Sequence, residues 1–224
     1  MYVISLTSIP PRFDRLGPVL DSLLAQDAPP AEIILCLPRS YRRFPGPVTP
    51  PVLPRDVRLL WAEQDLGPAT KTLIPARTVK GEIDRLIWCD DDWIYPPHWG
   101  GALLATAGDG ATTGQAWGVE RIGRRGTGCD IAQGFAGVCV RPEWLCTDEV
   151  QPPPEVHSVD DVWLSGQLAR QNIPIRAAPR ARQGMRPAYE DTHGLQDAGG
   201  RDADNRACAA LLNTLYGIWP EQGA

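Results

Sequence analysis

The segment RLIWCDDDWIYPP, residues 85–97, decides how this chain is expected to fold. Its first half is an apolar run typical of a buried strand, and the run ends abruptly in three consecutive aspartates. Adjacent carboxylates repel one another and are costly to desolvate unless a cation or hydrogen-bond donors neutralise them. The segment therefore predicts a strand whose carboxyl end carries either a solvated acidic turn or a metal site.

The residues before this segment predict alternating strands and helices. Residues 1–7 and 32–37 are short apolar runs typical of strands, and apolar residues between them recur at helical spacing after Asp14, a candidate N-cap. Residues 57–61 predict a further strand. Because a strand–helix–strand opening is typical of parallel sheets, we expect an α/β fold with a mostly parallel central sheet flanked by helices.

The second half of the chain predicts shorter elements and longer loops. Ser158 is a candidate N-cap of a mostly buried helix that ends near residue 170. Residues 121–128 are rich in glycine and arginine and predict a mobile loop, whereas residues 180–204 predict a lid or binding loop. The remaining predicted elements are helices at 98–106 and from residue 208, and strands at 112–117, 133–140 and 173–177.

The composition excludes several classes of protein. With 43% hydrophobic and 22% charged residues the chain resembles an ordinary globular protein and not a disordered one. A net charge of -5 predicts no strong attraction to nucleic acid. No apolar run approaches the roughly 20 residues that span a bilayer, and the first residues lack the features of a signal peptide. We expect a cytoplasmic protein without a transmembrane segment, for which peripheral membrane association stays open.

Six cysteines are present, and none of them forms a CxxC pair. Cys36, Cys89 and Cys139 lie within apolar runs. Buried free thiols are therefore predicted, rather than disulfides or a zinc site.

The aspartate triplet suits a hard divalent cation. Carboxylate oxygens at the carboxyl end of a parallel strand lie where open α/β sheets bind ligands, and they are ligands that Mg²⁺ and Mn²⁺ prefer. Alternate residues of an extended segment point the same way, so Asp90 and Asp92 could share one ion while Asp91 faces elsewhere. An ion held by one or two carboxylates and by substrate phosphates is the usual arrangement for activating a diphosphate leaving group.

Four segments of the chain resemble a known family. Residues 85–95 resemble the DxD segment of nucleotide-sugar-dependent glycosyltransferases of the GT-A fold, and residues 3–13, VISLTSIPPRF, are similar to their first strand and donor-binding turn. Residues 67–71 and 159–164 are similar to segments of small bacterial, family-2-like members. The resemblance extends from residue 3 to about residue 178.

This resemblance implies both a fold and a reaction. The implied fold is a single Rossmann-like GT-A domain, in which residues 1–107 bind the nucleotide sugar and residues 108–224 bind the acceptor and end in a lid and a helix. The implied reaction is a metal-dependent transfer of a sugar from a nucleoside diphosphate sugar, with UDP as the expected nucleotide. The acceptor would be the hydroxyl of a carbohydrate or of another molecule, and the cofactor would be Mn²⁺ or Mg²⁺.

The outer positions of the implied DxD motif are Asp90 and Asp92. Asp92 would be the direct metal ligand, and Asp90 would lie near both the donor ribose and the metal. Asp91 is counted with the nucleotide-sugar contacts and is expected to matter least for the metal. In the same scheme Thr7 and Pro10 would line the nucleotide.

Three further residues are implied on the donor side. Arg12 would also line the nucleotide, because a guanidinium binds phosphate or stacks on a base. Lys71 follows a Gly-Pro turn near a helix start, where backbone N–H groups favour anions, so it would contact the diphosphate. Asp65 could accept a hydrogen bond from uracil or ribose. The alternatives are solvated side chains for Arg12 and Lys71 and an ordinary turn aspartate for Asp65.

Asp160 and Asp161 are the candidates for the catalytic carboxylate. Inverting members of the resembled family place an Asp or Glu at the start of such a helix as the general base, and a retaining enzyme could use it to stabilise the transition state. Asp161 is favoured because it matches the end of the family's xED pattern, although Asp160 stands where that pattern has Glu. The alternative is structural, since Ser158 and Asp161 fit a capping box and acidic residues suit a first helical turn.

Histidine and tryptophan residues extend the predicted site. His193 could become a third metal ligand once the donor is bound, since imidazole can bind Mn²⁺; otherwise it is a solvated loop histidine. Trp93, Trp99 and Trp117 could stack on a sugar or a base. Residues 133–137, QGFAG, could form the acceptor-side wall or a closely packed strand.

Two other functions fit parts of the sequence. A nucleotidyltransferase acting on a sugar phosphate also gathers acidic residues around Mg²⁺. It would need a glycine-rich basic loop after the first strand, and residues 8–12, SIPPR, contain no glycine. A non-catalytic carbohydrate-binding protein with a degenerate site would account for the tryptophans.

Overall fold

The computed structural model describes residues 1–190 and 200–223, which form an α/β fold around a seven-stranded sheet. The strands are β1 (Tyr2–Leu6), β2 (Glu32–Pro38), β3 (Val57–Ala62), β4 (Arg85–Trp88), β5 (Trp93–Ile94), β6 (Ala111–Thr113), β7 (Ala116–Trp117), β8 (Ile131–Ala132), β9 (Val138–Val140), β10 (Ile175–Ala177) and β11 (Arg186–Pro187). The helices are α1 (Gly17–Leu24), α2 (Thr70–Val79), α3 (Trp99–Ala107), α4 (Asp160–Ala169), α5 (Pro179–Arg182) and α6 (Arg201–Tyr216).

The main sheet is mostly parallel, as predicted. Its strand order is β10-β6-β9-β4-β1-β2-β3, and all neighbouring pairs are parallel except those that β9 makes with β4 and β6. β1 and β4 lie side by side in the middle of the sheet, with Ser5 opposite Trp88. The turns after these two strands therefore leave the sheet at the same edge.

Helices cover both faces of the sheet. On one face α2 and α4 contribute Leu73 and Val162 to a buried cluster. On the other face α1 and α3 contribute Leu20 and Leu103. Every residue of β1 is buried. Central strands packed on both faces are rigid, so the turns at their carboxyl ends have a firm base.

The first predicted helix starts later than expected. Residues Pro10–Arg15 form a 3₁₀ turn, and α1 begins only at Gly17. Pro18 fits the first turn of a helix, where a missing N–H has no cost. The prediction that Asp14 caps this helix is therefore wrong.

The second predicted cap is also wrong. α4 begins at Asp160 with Val159 at the N-cap position, and no side-chain cap hydrogen bond is formed. The capping box between Ser158 and Asp161 is therefore absent. Helix capping does not account for the Asp161 carboxylate.

Two predicted strands are divided in the structure. In 112–117, β6 ends at Thr113, and β7 leaves the main sheet to pair with β8. In 133–140, residues Gly134–Ala136 form a 3₁₀ turn, and β9 begins after Gly137. Gly137 has a φ of 85°, which glycine adopts without strain.

Hydrogen bonds hold parts of the predicted loops where the structure describes them. Within 121–128, the Asp130 carboxylate accepts N–H bonds from Thr127 and Gly128, and it also accepts one from Val119. Within 180–204, β11 pairs antiparallel with β5. Residues 191–199 of that segment lie outside the described part of the chain.

In the described residues, no helix combines the length and apolar character needed to cross a membrane. All six cysteines are free thiols. Cys36, Cys89 and Cys139 are buried, as predicted.

Candidate active site

A cleft of about 380 Å³ opens at the carboxyl edge of the sheet. It lies between the turns after β1 and β4, the start of α4 and the segment at β11. The predicted site residues that line it are Thr7, Arg12, Asp65, Lys71, Asp90, Asp91, Asp92, Asp160 and Asp161. Pro10 does not line the cleft, and His193 lies outside the described residues. The fold thus brings residues that lie up to about 150 positions apart in the chain together in one cleft.

Lys71 connects the two acidic groups of the cleft. It is only 3% exposed, and its ammonium nitrogen lies 2.8 Å from Asp90 Oδ1 and 2.9 Å from Asp160 Oδ2. Burial alone would lower the pKa of Lys71, but the carboxylates of Asp160 and Asp90 raise it well above its usual value. Lys71 is therefore a permanent positive charge between the end of β4 and the start of α4.

The carbonyl of Lys71 accepts a hydrogen bond from Ser5, because Pro75 cannot provide the usual helical donor. Pro75 lies inside α2 and has no N–H, so the helix leaves the Lys71 carbonyl four residues earlier without its usual donor. The buried Ser5 hydroxyl on β1 donates to that carbonyl at 2.5 Å. This bond fixes the first turn of α2 against the central strand.

Asp160 and Asp161 have different environments. Asp160 is 5% exposed, and its carboxylate is bound by Lys71. Asp161 is half-buried and accepts an N–H bond from Gly134 at 2.9 Å. Burial, followed by the negative charge of Asp160, raises the pKa of Asp161 to about 7. The Asp161 carboxyl group is therefore easier to protonate than an ordinary aspartate.

Asp91 is a buried anchor of the cleft wall. It is 3% exposed, and its carboxylate accepts hydrogen bonds from the Ser8 hydroxyl at 2.5 Å and from Arg12 Nη1 at 2.5 Å. Burial raises the pKa of Asp91, and Arg12 acts in the opposite direction. The other guanidinium nitrogen of Arg12 lies 3.4 Å from Asp92 Oδ2. These contacts hold the turn after β1 against the turn after β4.

Among the described residues, the carboxylates of Asp90 and Asp92 are the candidate ligands for a divalent cation. The side chains of Asp90 and Asp92 are 33% and 23% exposed, and both line the cleft. Within residues 1–190 and 200–223, no three His, Cys, Asp or Glu side chains are grouped so as to hold a metal ion. Two hard carboxylates fit Mg²⁺ or Mn²⁺ when substrate phosphates and water complete the shell. The described residues therefore fit a site in which phosphates and water supply the remaining ligands.

Asp65 holds loops together at the far end of the cleft. Its carboxylate oxygens accept N–H bonds from Arg42 and Gly67, both at 2.8 Å, and His157 Nε2 lies 3.6 Å from Oδ1. Burial would raise the pKa of Asp65, but His157 and the two backbone donors lower it. Asp65 therefore has a structural role in this state, beside the ligand contact predicted for it.

Tyr95 connects the turn after β4 to the 3₁₀ turn Gly134–Ala136. Its hydroxyl lies 3.0 Å from the Asp90 carbonyl and 3.1 Å from the Phe135 carbonyl, and the Asp90 N–H donates to it at 3.1 Å. Tyr95 is 1% exposed. The wall predicted at 133–137 is thus connected directly to the aspartate triplet.

Several residues that line the cleft were not predicted as site residues from the sequence. They are Ser8, Tyr41, Phe44, Ser158, Pro187 and Tyr189, together with His157, which the sequence gave no context for a role. His157 contacts Asp65 across 92 residues, so no local spacing connects them. Tyr189 does have a signal, since it belongs to the segment predicted to fold over the site.

No protein-family model matches this chain, and no curated protein matches its sequence significantly. Solved structures of similar fold include TarS from S. aureus, with a TM-score of 0.50 and 12% identity over 79% of this chain and 35% of TarS. TarS 1-349 in complex with UDP aligns with a TM-score of 0.45 and 13% identity over 74% of this chain and 54% of that one. The galactosyltransferase LgtC, in complex with donor and acceptor sugar analogs, aligns with a TM-score of 0.42 and 10% identity over 64% of this chain and 58% of LgtC.

These likenesses concern the fold. The chain covers 58% or less of the length of each of these three proteins. The match to TarS confirms the predicted α/β fold of GT-A type. The roles predicted for individual residues are not tested by the alignment and stay predictions.

Proposed function

We propose that this protein is a glycosyltransferase that moves a sugar from a nucleoside diphosphate sugar to an acceptor hydroxyl, with UDP as the nucleotide and Mn²⁺ or Mg²⁺ as the cofactor. One observation supports this proposal most. The cleft gathers Asp90 and Asp92 after β4 and Asp160 and Asp161 at the start of α4 around the buried Lys71. TarS, whose fold is similar, forms a complex with UDP, which fits this choice of nucleotide.

The donor side is assigned to the aspartate triplet. Asp90 and Asp92 would hold the divalent ion, because both carboxylates are partly exposed to the cleft. The bound ion would supply positive charge to the diphosphate leaving group. Arg12 keeps a guanidinium beside Asp92 at 3.4 Å, where it can also contact phosphate. Asp91 supports the site by holding Arg12 in place.

The acceptor side is assigned to Asp161. A general base must come within hydrogen-bond reach of the proton that it removes. Both aspartates line the cleft, but Asp160 is buried against Lys71, whereas Asp161 is half-buried and oriented by the Gly134 N–H. Asp161 takes the proton of the acceptor hydroxyl as the oxygen attacks the anomeric carbon, and the bond from that carbon to the diphosphate breaks. Asp160 then acts through Lys71 as a positioning residue.

Thermal unfolding with UDP tests the donor site. UDP is expected to raise the Tm only when Mn²⁺ or Mg²⁺ is present, since a ligand that binds the folded state stabilises it. Asp92→Asn should remove this shift. Asp109→Asn is the control, because Asp109 is an exposed aspartate outside the cleft that pairs with Arg176, and it should keep the shift.

The outcomes of this test are distinct. If UDP has no effect with either metal ion, the proposed function fails. If Asp92→Asn keeps the full shift, the metal assignment fails.

Release of UDP from UDP-glucose or UDP-N-acetylglucosamine without acceptor tests for catalysis. An enzyme should release UDP slowly above background, and Asp161→Asn should reduce that rate by about 10²- to 10⁴-fold, the usual contribution of a general base. A carbohydrate-binding protein would release no UDP. A nucleotidyltransferase would instead release pyrophosphate from UTP and a sugar phosphate.

A further inference from the structure

We propose that the acceptor is a pyranose sugar and that the indole of Trp93 is the platform on which it stacks. This inference rests on the proposed function, because it assigns the acceptor of the same site. Three tryptophans near the cleft were candidates for stacking. Trp99 is fully buried and donates its indole N–H to the Ala136 carbonyl at 2.9 Å, and Trp117 does not line the cleft. Trp93 is partly exposed and lines the cleft directly after Asp92.

Neighbouring groups hold the Trp93 indole in place. Its ring centroid lies 5.0 Å from that of Phe135, with the two planes 34° apart. The guanidinium carbon of Arg182 lies 5.4 Å from the Phe135 ring centroid. On the backbone side, Trp93 pairs with Pro187 of β11. A platform that is ordered before binding loses little side-chain entropy when a ligand arrives. Phe135 and Arg182 are positioning residues for the indole.

The Trp93 indole is linked through Phe135 to the turn that binds the Asp161 carboxylate. Phe135 follows Gly134, whose N–H is bonded to the Asp161 carboxylate at 2.9 Å. The Phe135 carbonyl is tied to Asp90 through the Tyr95 hydroxyl. A chain of contacts therefore connects the Trp93 indole with the carboxylate of Asp161 and the backbone of Asp90. Because Trp93 and Asp161 both line the cleft, a ligand bound in it can contact both side chains.

The chemistry of this corner suits a pyranose. One side of a pyranose ring presents C–H groups that pack on an aromatic face, and its rim presents hydroxyls that need polar partners. An exposed indole beside carboxylates offers both features. A flexible lipid or peptide hydroxyl has no flat apolar face for such a platform. The presence of Trp93 and Asp161 in the lining of one cleft therefore favours a carbohydrate among the possible hydroxyl acceptors.

Saturation-transfer NMR with methyl glycosides tests this assignment. The probes are methyl β-D-glucopyranoside, methyl β-D-galactopyranoside and the methyl glycoside of N-acetylglucosamine, each added to the protein with UDP and Mg²⁺, because Mn²⁺ is paramagnetic. We expect at least one glycoside to bind. Trp93→Leu should weaken its binding by about three- to ten-fold, the range of an aromatic contact. Phe135→Leu should weaken it less, since it only loosens the indole.

Trp61→Leu is the matched control. Trp61 is also a half-buried tryptophan, with the Arg39 guanidinium carbon 5.5 Å from its ring, but it does not line the cleft. Its substitution should leave glycoside binding unchanged. The Tm shift with UDP and Mg²⁺ serves as the folding control for the Trp93→Leu variant.

Each outcome separates this inference from the proposed function. The inference is overturned if no glycoside binds to a protein that UDP stabilises, or if Trp93→Leu binds glycosides as the wild type does. It is also overturned if Trp93→Leu weakens only the binding of UDP-sugars relative to UDP, because the indole would then contact the donor sugar. Glycoside binding through Trp93 without any UDP effect would support the platform and reject glycosyl transfer.

Discussion

The ammonium nitrogen of Lys71 lies 2.9 Å from a carboxylate oxygen of Asp160, and both side chains are buried. Removing one partner of a buried ion pair leaves an uncompensated charge and typically costs about 3–5 kcal/mol. Lys71 also faces Asp90, so its loss would leave two carboxylates without their cation. We expect Lys71→Met to lower the free energy of unfolding by this amount, as measured by urea unfolding at neutral pH.

An exposed ion pair provides the control for Lys71. Arg39 lies 2.8 Å from Glu63, and both side chains are more than half exposed. Arg39→Met should cost less than about 1 kcal/mol, the usual range for surface pairs. Adding Asp160→Asn to Lys71→Met should recover part of the lost stability. A Lys71→Met protein as stable as Arg39→Met would mean that the buried pair does not stabilise the fold.

Asp161 makes the stability of the protein depend on pH. Its pKa is raised to about 7 by burial and by the charge of Asp160, whereas an unfolded aspartate titrates near pH 3.9. The folded state binds more protons than the unfolded state between these values, so stability falls as the pH rises through this window and stays lower above it. Asp161→Asn removes this loss. The variant should therefore be more stable than the wild type at about pH 8, where each unit of difference in pKa corresponds to about 1.4 kcal/mol.

Urea unfolding at several pH values measures this effect. The difference in free energy of unfolding between Asp161→Asn and the wild type should shrink as the pH falls toward about 4. If the difference in free energy of unfolding is the same at about pH 4 and pH 8, the folded state does not destabilise the charged form of Asp161. A variant that is more stable but inactive would place the residue among functional groups retained at a cost in stability.

Ser5 should stabilise the position of Lys71 through its hydrogen bond to the Lys71 carbonyl. Ser5→Ala leaves that carbonyl buried without its donor and is expected to cost about 1–3 kcal/mol. Pro75→Ala returns an N–H to the helix at the position that normally bonds this carbonyl. In the Pro75→Ala background, Ser5→Ala should therefore cost less. Urea unfolding of the four proteins measures the coupling, and equal costs in both backgrounds would reject this explanation.

Local patterns predicted the parts of this site that depend on sequence neighbours. The apolar runs before Thr7 and Asp90 predicted β1 and β4, and adjacency of parallel strands put both turns at one edge. Asp91 differs from Asp92 because its carboxylate is buried and accepts hydrogen bonds from Ser8 and Arg12, which lie about 80 residues away in the chain. A local sequence pattern cannot predict burial or hydrogen bonds that depend on residues so far apart in the chain.

The same limit applies to the start of α4. Ser158 and Asp161 fit a capping box by spacing, and the helix start nevertheless forms no side-chain cap. Gly134 accounts for the difference, because its N–H binds the Asp161 carboxylate from a separate turn. The Asp161 carboxylate thus binds the N–H of Gly134 from another part of the chain, instead of the local capping contact that the pattern predicts.

Gly134 should be required at its position because of the space that a side chain would take. A Cβ atom there would lie 3.1 Å from Lys71 Nζ and 3.2 Å from Asp161 Oδ1, closer than ordinary contacts. Its φ lies outside the positive region, so alanine can adopt the backbone without strain. Gly134→Ala should therefore fold normally but displace the ammonium and the carboxylate by a few tenths of an ångström. Because small misplacements of reacting groups are costly, the rate of UDP release should fall by about ten-fold or more.

Gly17→Ala is the control for this prediction. Gly17 lies at the start of α1, and a Cβ atom there would meet nothing within 4 Å. It should leave both the Tm and the rate of UDP release unchanged. If Gly134→Ala releases UDP at the wild-type rate, the spacing between Lys71 and Asp161 does not limit the reaction. If the rate falls only together with a large loss of Tm, the residue acts through folding, and its N–H bond to Asp161 has to be tested by other means, such as the pH dependence of the rate.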